Sequence, residues 1–132
     1  MGGARCMINI QKQIEYWRQG SQEDWAVAQE LVDRGRVRHG LFFAHLALEK
    51  ILKAHVCAKT QDLAPRTHNL VHLAEIAGLA LGKAQGDTLA EMNEYASEGR
   101  YPDLMVSTTT VEEARGYMKR CQEVLACLMR KL

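Results

Sequence analysis

The sequence lacks the alternation of apolar and polar residues that is typical of a half-buried β-strand. It also lacks internal repeats and low-complexity runs, and only two prolines interrupt its 132 residues. These absences argue against a β-rich fold, a solenoid and a disordered chain. What the sequence does contain is apolar residues spaced three and four apart, which predicts an all-α protein. We expect an antiparallel up-down bundle of four to five helices with short connections.

Long apolar runs and an excess of one charge are also missing. No stretch approaches the roughly 20 apolar residues that a membrane helix needs, and the first ten residues lack the apolar core of a signal peptide. We therefore expect no membrane partner, a cytoplasmic location, a flexible or expression-derived tail at residues 1–8 and one domain at residues 9–132. The 17 basic and 16 acidic residues create no global field for nucleic acid. Any nucleic-acid contact must be a local patch.

The four cysteines do not form a redox or zinc motif. Cys6, Cys57, Cys121 and Cys127 contain no CxxC pair and no zinc-ribbon spacing. Because Cys57 and Cys121 fall within apolar helical rows, we interpret them as reduced thiols of the core. A chain of this length can bury about two thirds of its unfolded surface, so it needs neither disulfide, metal nor cofactor to fold.

The most apolar segment, residues 38–59, is predicted to form the central helix. Its apolar residues cover nearly the whole circumference, so the other helices are expected to surround it. The few charges that interrupt it include Glu49 and Lys53, which stand in the favourable i,i+4 order. A first helix is predicted over residues 9–34, with a weak point at Gly20, where a break is a possible alternative.

Three further helices are predicted after the central one. Thr67 is placed to cap a third helix that stops at Gly78 or Gly82, and residues 82–86 are interpreted as a linker. A shorter fourth helix then runs out at Gly99. The last helix is predicted to begin with a capping box between its N-cap threonine and a glutamate three residues later. The residues concerned are Thr110 and Glu113, followed by an apolar seam of Ala114, Met118, Cys121, Leu125, Leu128 and Leu132.

Three motifs in this order carry a resemblance to a known family. FAHLALEKILKAH, RTHNL and GRYPD follow a Trp-bearing amphipathic helix, and together they resemble the HEPN domain over about residues 14–128. The resemblance implies an up-down bundle that commonly forms homodimers and that is linked to nucleotides and RNA. Members are often encoded beside a small nucleotidyltransferase, with which they act as a toxin–antitoxin or two-subunit system. We therefore expect a homodimer with a nucleotidyltransferase partner protein.

The same resemblance bears on ribonuclease activity. Many toxic HEPN proteins are metal-independent ribonucleases whose site is an Arg and a His, separated by four to six residues, near the start of a late helix. In this chain no His follows Arg100 in the corresponding region. We therefore predict binding of a nucleotide or an RNA phosphate without ribonuclease activity, and assign no catalytic residue. The alternatives are a metal-independent endoribonuclease toxin and a structural interaction module. Arg34 to His39 and Arg66 to His72 also have the required spacing, but they lie outside the expected position.

The predicted ligand-binding residues are Glu49, Lys53, Arg100, Tyr101 and Asp103. If the GRYPD bend lies against the central helix, Glu49 meets Arg100, whose guanidinium can bind phosphate in a bidentate manner. The alternative is a structural ion pair. Tyr101 is placed to stack on a base or to pack beside proline, and Asp103 to bind ligand or to stabilise the turn.

The histidines allow a metal site and a structural interpretation. His68, His72 and Glu75 would share one face if all lay on a helix, which is a spacing that can bind a divalent metal. The Glu of a metal hydrolase motif is missing between the two His residues. We therefore predict no metal, with His68 hydrogen-bonded near the start of the helix. His45 and His55 are predicted to be hydrogen-bonded interior or dimer-contact residues.

Overall fold

A computed structural model describes residues 8–96 and 109–132 of the chain. Within these ranges the chain is helical and contains no strand, as predicted. No helix in the described ranges is long and apolar enough to cross a membrane. The helices are α1 (Ile10–Asp33), α2 (Val37–Thr60), α3 (Leu70–Ile76), α4 (Lys83–Met92), a 3-10 turn (Asn93–Tyr95) and α5 (Val111–Lys131).

The first helix is continuous through its predicted weak point. Asn9 caps α1 by accepting a hydrogen bond from the backbone N–H of Lys12 at 3.0 Å. Ser21 does not begin a new helix, because its buried hydroxyl donates to the carbonyl of Ala47 in α2 at 2.7 Å. A tertiary partner therefore satisfies the side chain that could have competed with the helix backbone.

Two glycines allow α1 and α2 to approach closely. A Cβ atom at Gly40 would lie 2.5 Å from Cγ2 of Val32 and 3.1 Å from the carbonyl oxygen of Ala28. A Cβ at Gly20 would lie 3.0 Å from Cδ of Lys50. At Gly40 a larger residue would therefore push the helices apart, whereas at Gly20 the flexible side chain of Lys50 can move.

The second helix is the centre of the bundle, as predicted. It packs against α1, α3, α4 and α5, and it is buried at nearly every position from Ala44 to Cys57. His55 fastens it to α5, since its Nε2 lies 2.8 Å from the carbonyl oxygen of Leu128. The prediction that His55 is a hydrogen-bonded interior residue is therefore confirmed.

The predicted start of the third helix is wrong by two residues. The N-cap is Asn69, whose Oδ1 accepts from the backbone N–H of His72 at 3.1 Å. Thr67 instead accepts a hydrogen bond from the N–H of Asn69 at 3.2 Å, so its hydroxyl stabilises the turn that precedes the cap. The helix ends at Ile76, and Gly78 follows with a φ of 66°, a left-handed conformation that favours glycine.

The predicted linker at residues 82–86 is also wrong, because α4 begins at Lys83 with Gly82 as its N-cap. A glycine inside a helix lowers the stability of the helix by about 1 kcal/mol relative to alanine. For this reason Gly86 favoured a linker when only the sequence was considered. Burial of Leu89 and Met92 at 1% and 0% exposure outweighs that cost.

The last helix begins as predicted. Thr110 and Glu113 form the capping box, with reciprocal hydrogen bonds of 2.9 and 3.1 Å. The apolar seam is buried from Ala114 to Leu128, but Leu132 is 37% exposed because it follows the last helical residue. Cys121 in this seam is a free thiol, and burial raises its pKa to about 12. Cys57 is also free and buried.

We expect Gly40→Ala to destabilise the protein, although alanine is the better helix former. The added methyl group would overlap Val32, and overpacking of this kind costs about 1–3 kcal/mol. Gly86→Ala is the matched control, because a Cβ there meets nothing within 4 Å and the substitution should stabilise α4. Urea denaturation of both variants measures the difference. Equal stability of the two variants would contradict the close approach of α1 and α2.

Candidate functional site

A buried carboxylate lies in the middle of α2. Glu49 is 4% exposed, and both of its oxygens have a partner. Oε2 accepts from Nζ of Lys53, one turn further along the helix, at 2.9 Å, and Oε1 lies 3.0 Å from Nδ1 of His68. Removing a carboxylate from water costs several kcal/mol unless such partners compensate. We call Glu49, Lys53, His45, His68 and Trp17 the Glu49 cluster.

The ammonium group of Lys53 is enclosed. Lys53 is 6% exposed, and its Nζ lies 5.2 Å from the centroid of the Trp17 ring of α1. The cation therefore interacts with the carboxylate of Glu49 and with the face of an aromatic ring. Lys53 acts in the described structure as the counter-ion of Glu49, and its direct contact with a ligand stays a prediction.

His45 is a buried, neutral imidazole that supports the loop before α3. Its Nε2 lies 3.0 Å from the carbonyl oxygen of His68, and a carbonyl can only accept, so Nε2 donates. Burial lowers the pKa of His45, although the nearby charge of Glu49 opposes this effect. Its Nδ1 has no hydrogen-bond partner within the described residues and lies 3.8 Å from Oε1 of Glu49. The predicted interior role of His45 is confirmed.

His68 is the exposed member of the cluster. Its side chain is 69% exposed, yet α2 holds it at two points: His45 binds its carbonyl and Glu49 binds its ring. Because the carboxylate of Glu49 can only accept, Nδ1 of His68 donates to Oε1. In a neutral ring, Nε2 on the far side then carries a lone pair and no proton.

The predicted geometry of a metal site does not hold. His68 precedes the N-cap of α3 and is therefore not on one helical face with His72 and Glu75. His72 and Glu75 are both exposed, with 3.8 Å between Nδ1 and Oε1. In the described part of the chain, no group of three or more His, Cys, Asp or Glu residues is arranged to hold a metal.

The sequence-based search missed His68 as a partner of Glu49. These two residues are 19 positions apart, and no local spacing connects them. One signal was present: a glutamate on a helix that is buried on nearly all sides needs a donor for each oxygen, and Lys53 supplies only one. His68, in the next loop, was one candidate for the second donor.

Three of the predicted ligand-binding residues, Arg100, Tyr101 and Asp103, lie outside the described residues. The pairing of Glu49 with Arg100 therefore stays a prediction. Among the described residues, Arg66 stands two positions before His68, is exposed and forms no ion pair. The guanidinium of Arg66 is therefore close in sequence to the exposed imidazole of His68.

Comparisons with known proteins agree with this architecture. The family model described as the HEPN domain matches residues 14–132. The chain belongs to the HEPN domain family. Comparison with the curated proteins gives no match.

Two solved structures share the HEPN fold of this chain. The protein TT1696 from Thermus thermophilus is 22% identical, with a TM-score of 0.76 over 91% of this chain and 98% of that one. ST0689, an archaeal HEPN homologue, is 17% identical, with a TM-score of 0.69 over 89% of this chain and 96% of that one. At these identities the similarity concerns the fold.

Two of the motifs that resemble HEPN domains meet at the Glu49 cluster. The string FAHLALEKILKAH, residues 43–55, forms the middle of α2, and RTHNL, residues 66–70, forms the entry to α3. Two hydrogen bonds join them: His45 donates to the carbonyl of His68, and the ring of His68 donates to Glu49. GRYPD, residues 99–103, lies outside the described residues.

We expect the buried ion pair to show strong coupling in a double-mutant cycle. Glu49→Gln leaves the ammonium group of Lys53 buried without a counter-charge, and Lys53→Met leaves the carboxylate of Glu49 buried without one. Each change should lower the free energy of unfolding by about 3–5 kcal/mol. The double variant removes both charges and should recover much of that loss.

Urea denaturation of the four proteins checks this expectation. Lys83→Met is the control, because it breaks an exposed i,i+4 pair with Asp87 and should leave the midpoint unchanged. Additive losses in the double variant would show that the two charges do not stabilise each other.

Proposed function

We propose that this HEPN-domain protein binds a nucleotide or an RNA phosphate at the Glu49 cluster, with His68 as the group presented to the ligand. The observation that carries the proposal is an exposed imidazole fixed by two buried groups. An exposed side chain gains little stability from being ordered, and a buried carboxylate is a costly way to order it. Binding sites, in contrast, need polar groups that are held in place before the ligand arrives.

The phosphate of the ligand needs a cation, and Lys53 is enclosed. Arg66 is exposed and has no ion pair among the described residues, and a guanidinium binds phosphate with two parallel hydrogen bonds. We propose that Arg66 supplies this contact from one side. Arg100, Tyr101 and Asp103 remain proposed contributors from the GRYPD motif, with Tyr101 placed to stack on a base.

We further propose that the protein acts as a cytoplasmic homodimer with a small nucleotidyltransferase partner in a toxin–antitoxin type of system. Membership of the HEPN family supports this part of the proposal. The near balance of charge also fits a local phosphate site better than a general nucleic-acid surface.

Calorimetric titration with nucleotides and a short RNA tests the binding site. His68→Ala should weaken binding about 3- to 10-fold, which corresponds to the loss of one hydrogen bond. His72→Ala is the control, because this exposed histidine lies on α3, with its Nδ1 3.8 Å from Oε1 of Glu75. Arg66→Ala and Arg100→Ala should each weaken binding more than His68→Ala does, and each should reduce the salt dependence of binding. Binding of the partner protein without any nucleotide or RNA would favour a structural interaction module instead.

The pairing of Glu49 with His68 also favours a second candidate, a metal-independent endoribonuclease. A bare, fixed Nε2 is what a general base requires to take the proton of a ribose 2′-hydroxyl. The 2′-oxygen would then attack the phosphorus, and the 5′-oxygen would leave with a proton from water.

Incubation of the pure protein with total RNA tests this candidate. If His68 is the base, the wild type and His72→Ala should cleave RNA, and His68→Ala should lose at least about 100-fold of this activity. Arg100→Ala shows whether the guanidinium in GRYPD also contributes to cleavage. RNA that stays intact with the wild-type protein rules out the ribonuclease function.

A further inference from the structure

We propose that the cavity between α1 and α5 binds a free amino acid with a large apolar side chain. The residues that line this cavity all lie outside the Glu49 cluster, so the inference is independent of the nucleotide or RNA site proposed above. It follows from the volume of the cavity, from its apolar floor and from the charges of both signs at its rim.

The volume limits the size of the ligand. α1 and α5 pack against each other, and between them lies a cavity of about 210 Å³. An engineered cavity of roughly 150 Å³ holds a benzene molecule, whereas pockets for drug-sized ligands begin at roughly 300 Å³. The space between α1 and α5 therefore fits a molecule with one ring or one branched side chain, and it is small for a nucleotide.

The floor of the cavity is apolar. Val32 of α1 and Met118 of α5 are buried, and Trp25 of α1 is half-buried. An indole ring and a thioether both make favourable contacts with an aromatic ring, and both also pack against aliphatic groups. A large apolar side chain on the ligand would displace water from this floor, and this burial is expected to supply most of the affinity.

The rim of the cavity carries charges of both signs that do not neutralise each other. Asp33 is the last residue of α1, and Arg115 and Lys119 lie on α5. All three are exposed, and none of them forms an ion pair among the described residues. Gln29 and Gln122, which are also exposed, add uncharged hydrogen-bonding groups. The rim therefore offers a carboxylate to an ammonium group and two cations to a carboxylate.

The chemistry of an amino acid matches this arrangement. At neutral pH its carboxyl group is ionised and its amino group is protonated, and both are attached to the carbon atom that carries the side chain. Arg115 and Lys119 can bind the carboxylate and Asp33 the ammonium group, with the side chain on the apolar floor. A simple carboxylate would use only the two cations, and a simple amine would use only Asp33. An amino acid uses both, and for this reason we infer this class of ligand.

Three ligands test the assignment: L-phenylalanine, N-acetyl-L-phenylalanine, which has no ammonium group, and L-phenylalaninamide, which has no carboxylate. Binding to the full chain at neutral pH is followed by the NMR signal of the Trp25 indole N–H, which is assigned by its loss in Trp25→Phe. L-phenylalanine should shift this signal in a saturable manner. Each of the other two ligands should bind about 3- to 10-fold more weakly, as expected when one hydrogen-bonded charge is lost at an exposed rim.

Variants of the rim show which group binds which charge. Asp33→Asn should weaken the binding of L-phenylalanine about 3- to 10-fold without weakening that of N-acetyl-L-phenylalanine, because the latter has no ammonium group. Arg115→Met combined with Lys119→Met should weaken the binding of L-phenylalanine at least as much without weakening that of L-phenylalaninamide. Glu23→Gln and Arg130→Met are matched controls, because these exposed residues lie on the same two helices and do not line the cavity.

The outcomes that would overturn the inference are distinct from a failure to fold. The rim residues are exposed and unpaired, so the variants should keep the NMR spectrum of the folded protein. An unchanged Trp25 signal up to the solubility limit of L-phenylalanine would overturn the inference, as would equal affinities of the wild type for the three ligands. A Trp25 signal that shifts with protein concentration alone would assign the cavity to contact with a second copy of the chain, and this result would overturn the inference too.

Discussion

A carboxylate in the centre of a helical bundle imposes requirements on everything near it. Glu49 belongs to the helix that all others surround, so its two oxygens must find donors inside the protein. Lys53 comes from the same helix and satisfies one oxygen without any tertiary structure. The second oxygen needs His68, and this requirement fastens the loop before α3 to the middle of α2.

The same loop is fastened on its other side by a pair of asparagines. Asn69 caps α3 and also accepts from Nδ2 of Asn93 at 3.2 Å, while Oδ1 of Asn93 accepts from the N–H of Leu70 at 2.9 Å. The start of α3 is thereby joined to the 3-10 turn that follows α4. His68 lies next to this joint, with bonds to α2 on its ring and on its carbonyl. The orientation of His68 therefore depends on α2, α3 and the 3-10 turn.

The position of α1 determines which basic group of the cluster faces solvent. Small residues at the contact of α1 and α2 let the helices approach, and the Asp24–Lys50 ion pair at 2.7 Å joins them at the same level. Trp17 of α1 can then cover Lys53. As a result the ammonium group of Lys53 is closed off and the imidazole of His68 is exposed, so the cluster presents a hydrogen-bonding group to solvent and keeps the charges of Glu49 and Lys53 inside.

The sequence by itself determined the features that depend on near neighbours. Residue spacing was enough for the helical class, the continuous burial of α2, the capping box of Thr110 and Glu113, and the Glu49–Lys53 pair, because each arises within a turn or two of helix. The three motifs in their order were enough to predict membership of the HEPN family.

Only the tertiary structure decided the rest. It placed the cap of α3 at Asn69 rather than Thr67, where Asn93 can reach it, and it began α4 at Lys83, where burial outweighs the preference of glycine for a loop. It also brought His68 to Glu49. The physical reason is that such contacts depend on the path of a loop, which is set by packing between helices and not by the spacing of residues along one of them.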